Sequence, residues 1–182
     1  MIKSKVLIDR SDLQVFVDNY NQGSKKRKVE DLEGIFVRAF FSGSEMLGGY
    51  SINTKSPVFH IDMIPSNHVS TLPLLKEKNL NLTEIRSLWI KSRASNVLRA
   101  IVYCRSVLDA AATRPSYIIG GTFTERYRKT QMRALPRLLY FGDVNVWNKK
   151  QEWWIFYGKP FECVSRLPYA VIGGWIDRIT KH

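Results

Sequence analysis

Three side chains of the kind that bind metals, His60, Asp62 and His68, fall close together in the chain. His60 and Asp62 are two apart and would share one face of a strand. With His68 from the loop that follows they match no zinc motif, and no metal is expected. Cys104 and Cys163 supply neither a disulfide framework nor a metal-ligand set, which favours a reducing compartment and buried thiols. There is no Gly-rich P-loop, nucleophile elbow or Cys/His catalytic pairing. The more prominent chemistry is cationic. Lys25, Lys26, Arg27 and Lys28 are consecutive in "GSKKRKVEDLEG". Arg126, Lys129, Arg133 and Arg137 recur at spacings of three, four and four, one stripe if helical geometry holds past Pro136. Both groups could meet the phosphates of DNA, RNA or a ribosome, with Tyr127, Trp147, Trp153, Trp154 and Tyr157 as stacking surfaces. The alternative for each is a solvated surface.

The whole chain carries 28 Lys and Arg against 16 Asp and Glu, a net charge of +12, which suits a polyanionic partner without specifying one. At 182 residues and 45% hydrophobic, one core and a single domain over 1–182 are expected. No segment approaches the ~20 apolar residues of a membrane span, so a soluble, cytoplasmic protein is expected. The oligomeric state is not legible. The basic stretch "KKRKVED" also resembles the nuclear-import signal of a viral large T antigen, a minor alternative to cytoplasmic residence.

Several elements must position these residues. "KVLID" (5–9) reads as a strand running into a helix over "LQVFVDNY", with Ser11 as N-cap. "GIFVRAFFSGSEMLGGYSIN" (34–53) reads as a hairpin around Ser42-Gly43-Ser44-Glu45. The alternation in "SPVFHIDMIP" (56–65) predicts a strand, as does "TEIRSLWI" (83–90). Val97, Ile101, Cys104, Leu108 and Ala111 are spaced as one apolar helix stripe, capped by Ser95 or Asn96 and stopped by Pro115. "SYIIGGTF" (116–123) reads as a strand, and a second helix runs from near Thr124 at least to Ala134, where Pro136 breaks or kinks it. "DVNVW" and "EWWIFYG" form a further hairpin, and "YAVIGGWI" (169–176) a docked C-terminal element.

This order of elements resembles the GNAT acyltransferase superfamily, most locally in "TEIRSLWIKSRASNVLRAIVYCRSVLDA". The resemblance implies an α/β (α+β) fold, a central mixed, mostly antiparallel sheet flanked by helices. It also implies transfer of an acyl group from acetyl-CoA or another acyl-CoA to an amine. The pyrophosphate would be held where the strand runs into the helix, by Trp89, Ile90, Lys91, Arg93, Ser95, Asn96 and Val97. Phosphate fits there physically, because the first helical N–H groups lack intrahelical partners and the macrodipole favours negative charge. Arg93 matches the family's loop, but both of its glycines are missing. The resemblance further implies Glu84 as general base and Tyr140 as the acid that returns a proton to the thiolate. Against these stand a surface glutamate paired with Arg86 and a packed core tyrosine. A second likeness is to the Mom-type DNA-modification proteins of phages, carried by "LWI", Asn96, "CRSVL", Ala134 and Tyr140-Phe141-Gly142. It would join the same scaffold to a nucleic-acid substrate. The competing class is a non-enzymatic, basic nucleic-acid-binding protein.

Overall fold

The computed structural model describes residues 2–22, 27–146 and 149–179, with backbone alone at 126, 149 and 174–179. The chain begins β1 (Ile2–Leu7), α1 (Arg10–Asn21), β2 (Phe36–Ser42), β3 (Glu45–Asn53), α2 (Phe59–Asp62), α3 (Ser66–Val69) and β4 (Leu82–Ile90). It continues α4 (Asn96–Ala112), β5 (Tyr117–Thr122), α5 (Glu125–Ala134), β6 (Arg137–Val146), β7 (Lys149–Gly158), α6 (Pro160–Ser165) and α7 (Leu167–Ile179). The strands are hydrogen-bonded in the order β1-β2-β3-β4-β5-β7-β6, a mostly antiparallel sheet in which β4 and β5 run parallel. The expected mixed α/β class is therefore the observed one. The chain divides into two compact units, Met1–Asn53 with Ile85–Ser106 and Thr54–Glu84 with Val107–His182.

In the first unit, α1 buries Leu13, Phe16, Val17 and Tyr20, the i, i+3, i+4, i+7 face of an amphipathic helix. The Leu13 N–H bonds to the Asp9 carbonyl at 3.0 Å, so Asp9, not Ser11, occupies the cap position. Phe16 is fully buried among Leu7, Val17, Leu32, Val37, Ala39 and Met46, a burial that stabilises by about 2 kcal/mol. The predicted hairpin is present. Ser42 pairs with Glu45, and Gly43 turns the chain at φ 59°, a left-handed conformation that costs glycine little.

In the second unit, β5, β7 and β6 form an antiparallel set, and the register pairs Gly121 with Ile155, Ile155 with Tyr140 and Trp153 with Gly142. Residues directly opposite one another share a face, so these five lie on one side of the sheet. Glu84 joins them through its parallel register with Ile119, two residues before Gly121. Residues 56–65 are not the predicted strand. The Ile61 and Asp62 N–H groups bond back to the Val58 carbonyl to form α2, and the Phe59 and His60 N–H groups are taken by the Glu84 carboxylate instead of a neighbouring strand. The residues read as alternating, Val58, Phe59, Ile61 and Met63, pack together against the core.

Two further expectations change. The buried stripe of α4 is Leu98, Val102, Val107 and Ala110, whereas Val97, Ile101 and Leu108 of the predicted stripe are 57%, 42% and 42% exposed. Two apolar stripes lie side by side on this helix, and periodicity alone does not choose between them. The second helix ends at Ala134, as Pro136 requires, but Arg137 then opens β6 and belongs to no helical stripe.

Candidate functional site

In the first unit the end of β4, the loop 91–95 and the first turn of α4 are tied into one piece. Ser95 caps α4, its Oγ accepting the Leu98 N–H at 3.2 Å and its carbonyl the Arg99 N–H at 3.0 Å. Asn96 and Val97 follow as the first helical residues. Arg99 turns back along the loop, donating Nη2 to the Ser92 and Lys91 carbonyls at 2.6 and 2.9 Å and Nε to that of Ala94 at 3.2 Å. A loop without glycine is thereby fixed by a guanidinium. Beside it, a Cβ added to Gly48 would stand 2.8 Å from the Trp89 carbonyl oxygen and 3.2 Å from the Ile90 Cα, so β3 approaches β4 as only glycine permits. Trp89 is half-buried, edge-on to Phe16 at 5.9 Å. The Lys91 N–H bonds to the Leu47 carbonyl at 2.9 Å.

Lys91 and Arg93 both donate to Glu45 Oε1, Lys91 at 2.8 Å. Those hydrogen bonds, Arg93's first, lower the Glu45 carboxyl from its ordinary 4.5 to about 2. The seven residues expected to hold a pyrophosphate therefore fall in one ordered segment. It has two cations and a helix N-terminus, chemistry that fits a phosphate once Glu45 yields its partners. Within the same strand Ser87 adopts φ 50°, uncommon for a residue with a Cβ, and its Oγ is buried without a hydrogen-bond partner among the described residues.

In the second unit Glu84 is fully buried, which removes the alternative of a surface glutamate. Its Oε1 accepts the His60 N–H at 2.7 Å and lies 2.5 Å from His60 Nδ1, while Oε2 accepts the Phe59 N–H at 3.2 Å. His60 is itself 4% exposed. A carboxylate taken out of water is costly unless donors replace its hydration, and the Phe59 and His60 N–H groups do so, with His60 Nδ1 in contact with Oε1. Asp62 does not join His60 in a shared strand face, because α2 has replaced that strand. Among the described residues no group of His, Cys, Asp and Glu is arranged to hold a metal.

Tyr140 stands on the same sheet face, at a β-bulge between Leu138 and Tyr140. Its hydroxyl donates to the Asp143 carbonyl at 3.2 Å, its ring meets His68 edge-on at 5.7 Å, and burial, with Asp143 nearby, pushes the phenol up. It lines a cavity of about 640 Å³ with Asn67, His68, Gly142, Asp143 and Lys150, the last two forming an ion pair at 2.8 Å. The Glu84–His60 contact, absent from the sequence analysis, joins residues 24 apart in the chain, and no local pattern marks it.

The basic groups separate. Lys25, Lys26 and Trp147 lie outside the described residues. Arg27 is only 8% exposed, with its guanidinium over the Tyr20 ring at 5.8 Å and its backbone clasped by Asn21, so burial takes it out of an exposed basic tract; Lys28 is exposed. Arg137 donates to Glu162 at 2.5 Å and covers Tyr157 at 5.8 Å. Arg133 sits over Tyr169, and Lys129 is exposed; Arg126 is described by backbone alone. Trp153 is a core residue, and Trp154 stacks on Phe141 at 5.0 Å with Arg128 over its ring. No helix among the described residues is long and apolar enough to cross a membrane.

No family model and no curated protein matches the sequence. Solved structures do match in fold. FeeM, an N-acyl amino acid synthase from uncultured soil microbes, is similar at a TM-score of 0.69 and 14% identity, over 91% of this chain and 95% of that one. The yncA structure from Salmonella typhimurium, which holds its cofactor acetyl-CoA, is similar at 0.57 and 8%, over 87% and 94%. The AHL synthase LasI is similar at 0.56 and 10%, over 86% and 90%. The chain thus has the GNAT fold.

Proposed function

We propose that the protein is an N-acyltransferase that moves an acyl group from a coenzyme A thioester, acetyl-CoA among them, to an amine. The observation that carries this reading is the fully buried Glu84 on β4, bonded to a buried histidine on the sheet face that also bears Tyr140 and its cavity. A buried acid–base pair costs stability, and such pairs concentrate where a reaction moves protons. Aminolysis of a thioester needs this: the attacking nitrogen must shed a proton as the C–N bond forms, and the departing thiolate must gain one. Tyr140 is the candidate to supply the second proton. Lys91, Arg93 and the first turn of α4 are the candidates for the pyrophosphate, with Trp89, Ile90, Ser95, Asn96 and Val97 shaping that segment. Because FeeM is described as an N-acyl amino acid synthase, L-amino acids are the first acceptors to try.

Calorimetric titration with acetyl-CoA and a long-chain acyl-CoA is expected to show binding that Arg93→Glu weakens about tenfold or more, the scale of a lost charge-assisted contact replaced by repulsion. Thiol release in the presence of L-amino acids is expected to follow. Failure of the folded protein to bind any acyl-CoA in such a panel overturns the proposal.

A further inference from the structure

We propose, building on that acyl-transfer reading, that the proton of the attacking amine is taken by His60 Nε2, with Glu84 as the positioning residue behind it and the Trp153 indole N–H beside it. Glu84 is poorly placed to act directly. It is fully buried, Oε1 already receives the His60 N–H and faces Nδ1, and Oε2 receives the Phe59 N–H. With both oxygens working as acceptors, the 2.5 Å contact is supplied by Nδ1–H, which leaves the lone pair on Nε2.

The ring edge that carries this second nitrogen packs over Gly121 beside the Trp153 indole. A Cβ built on Gly121 would stand 2.8 Å from His60 Nε2, 2.4 Å from His60 Cδ2 and 2.4 Å from Trp153 Nε1. The imidazole and the indole therefore both pack against Gly121, where any side chain would collide with them. Trp153 is 5% exposed, and its Nε1–H has no hydrogen-bond partner among the described residues. A buried indole N–H without a partner is uncommon, and it costs free energy unless something binds there. An imidazole nitrogen free to accept and an unpartnered indole N–H, side by side over Gly121, suit a small group that both gives and receives a hydrogen bond, either the amine itself or a water relaying its proton.

The step balances without a further reagent. As the amine nitrogen bonds to the thioester carbonyl carbon and the C–S bond breaks, one N–H proton passes to Nε2. The imidazolium so formed is held by the Glu84 carboxylate at Nδ1–H. The thiolate is protonated in turn, so amide and free thiol are the products, and His60 returns to its starting form by releasing its proton to solvent.

The test combines one measurement on the unmodified protein with one variant. The chain has three histidines, so 15N-histidine labelling with His60→Asn and His68→Asn for assignment reads the tautomer of His60 directly. The proton is expected on Nδ1; a spectrum placing it on Nε2 overturns the inference whether or not the variants fold. Asparagine keeps a donor toward Glu84 and has no proton-accepting nitrogen. His60→Asn is therefore expected to remain folded, with an unfolding midpoint lowered by the smaller buried side chain, and to keep the KM for acetyl-CoA while kcat falls at least about 100-fold, the scale of a lost general base. Wild-type turnover that His60→Asn leaves intact overturns this inference alone. Absence of turnover in the wild-type protein, with a panel of L-amino acids and acyl-CoA species, overturns the acyl-transfer reading and this inference with it.

Discussion

Arg99 and Lys91 are joined by a 2.9 Å hydrogen bond from the guanidinium Nη2 to the backbone carbonyl, and further bonds from the same side chain reach Ser92 and Ala94. One arginine in the first turn of α4 thus immobilises the loop that precedes the helix. Arg99→Ala is expected to cost about 1–2 kcal/mol of stability, since the three accepting carbonyls regain only solvent as a partner. Acetyl-CoA affinity is expected to fall about tenfold from lost preorganisation. Urea unfolding and calorimetry check the two effects separately.

Glu45 holds the two cations on that loop, which makes it a competitor for any anion they bind. Glu45→Gln is expected to tighten binding of acetyl-CoA several-fold, most clearly at low salt, where exposed charges are least screened. The same carboxyl sets an acid dependence. Its folded value of about 2 lies below its ordinary 4.5, so its stabilisation is fully present above 4.5 and is lost as pH falls toward 2. Thermal midpoints of Glu45→Gln should therefore vary less with pH than those of the wild type across that window. Added salt should shrink the difference, because the pair is exposed.

Legibility in the sequence followed the range of the interaction. The Gly43 hairpin, the strand into Glu84 and the Ser95 cap rest on neighbours in the chain, and local patterns report them. The 56–65 segment was misread because its alternation imitates a strand, while its N–H groups are claimed by Glu84, 24 and 25 residues away. No periodicity encodes that contact. Arg99 was visible as a cation, but its direction back along the loop depends on how α4 leaves the strand. Likewise, the stripe of α4 was set by what the helix packs against, not by its own spacing.

The thiols provide an independent check on the packing. Cys163 is fully buried, and burial, with Glu162 nearby, pushes its thiol up to about 12. Burial also raises Cys104, which is partly exposed. A disulfide reagent at about pH 8 is expected to label Cys104 slowly and Cys163 only after unfolding, since the thiolate is the reacting form. Rapid labelling of Cys163 in the folded protein would contradict the placement of α6 over Gly158, where a Cβ would stand 2.7 Å from its sulfur.

Gly49 tests the packing of α1 on β3. An added Cβ would lie 2.4 Å from the Arg38 carbonyl oxygen and 2.7 Å from Phe16 Cε2. The first is backbone of the paired strand and the second a fully buried ring, so neither yields cheaply. Gly49→Ala is expected to destabilise by about 1–3 kcal/mol, and Phe16→Leu in the same background to recover part of that loss by making room. Additive losses in the double variant would show that the two positions do not meet.

The basic run separates into a structural and a surface part, and the two should answer differently to substitution. Arg27 covers the Tyr20 ring at 5.8 Å, and its backbone N–H and carbonyl bond to the Asn21 side chain at 2.9 Å each. The Lys28 side chain is exposed, and its backbone N–H bonds to Asp31 Oδ2 at 2.9 Å, a contact that does not need the lysine. Arg27→Gln is therefore expected to cost about 1–2 kcal/mol through lost packing and cation–π contact, and Lys28→Gln less than about 0.5 kcal/mol. For polyanions the order reverses. A cation buried in the fold makes no phosphate contact, so Arg27→Gln should leave the salt slope of heparin or DNA binding unchanged, whereas any contact by Lys28 should lower that slope by about one unit on substitution. Urea midpoints and salt titrations on the two variants check both halves, and a salt slope that falls for Arg27→Gln at unchanged stability would place its guanidinium at the surface instead of over Tyr20.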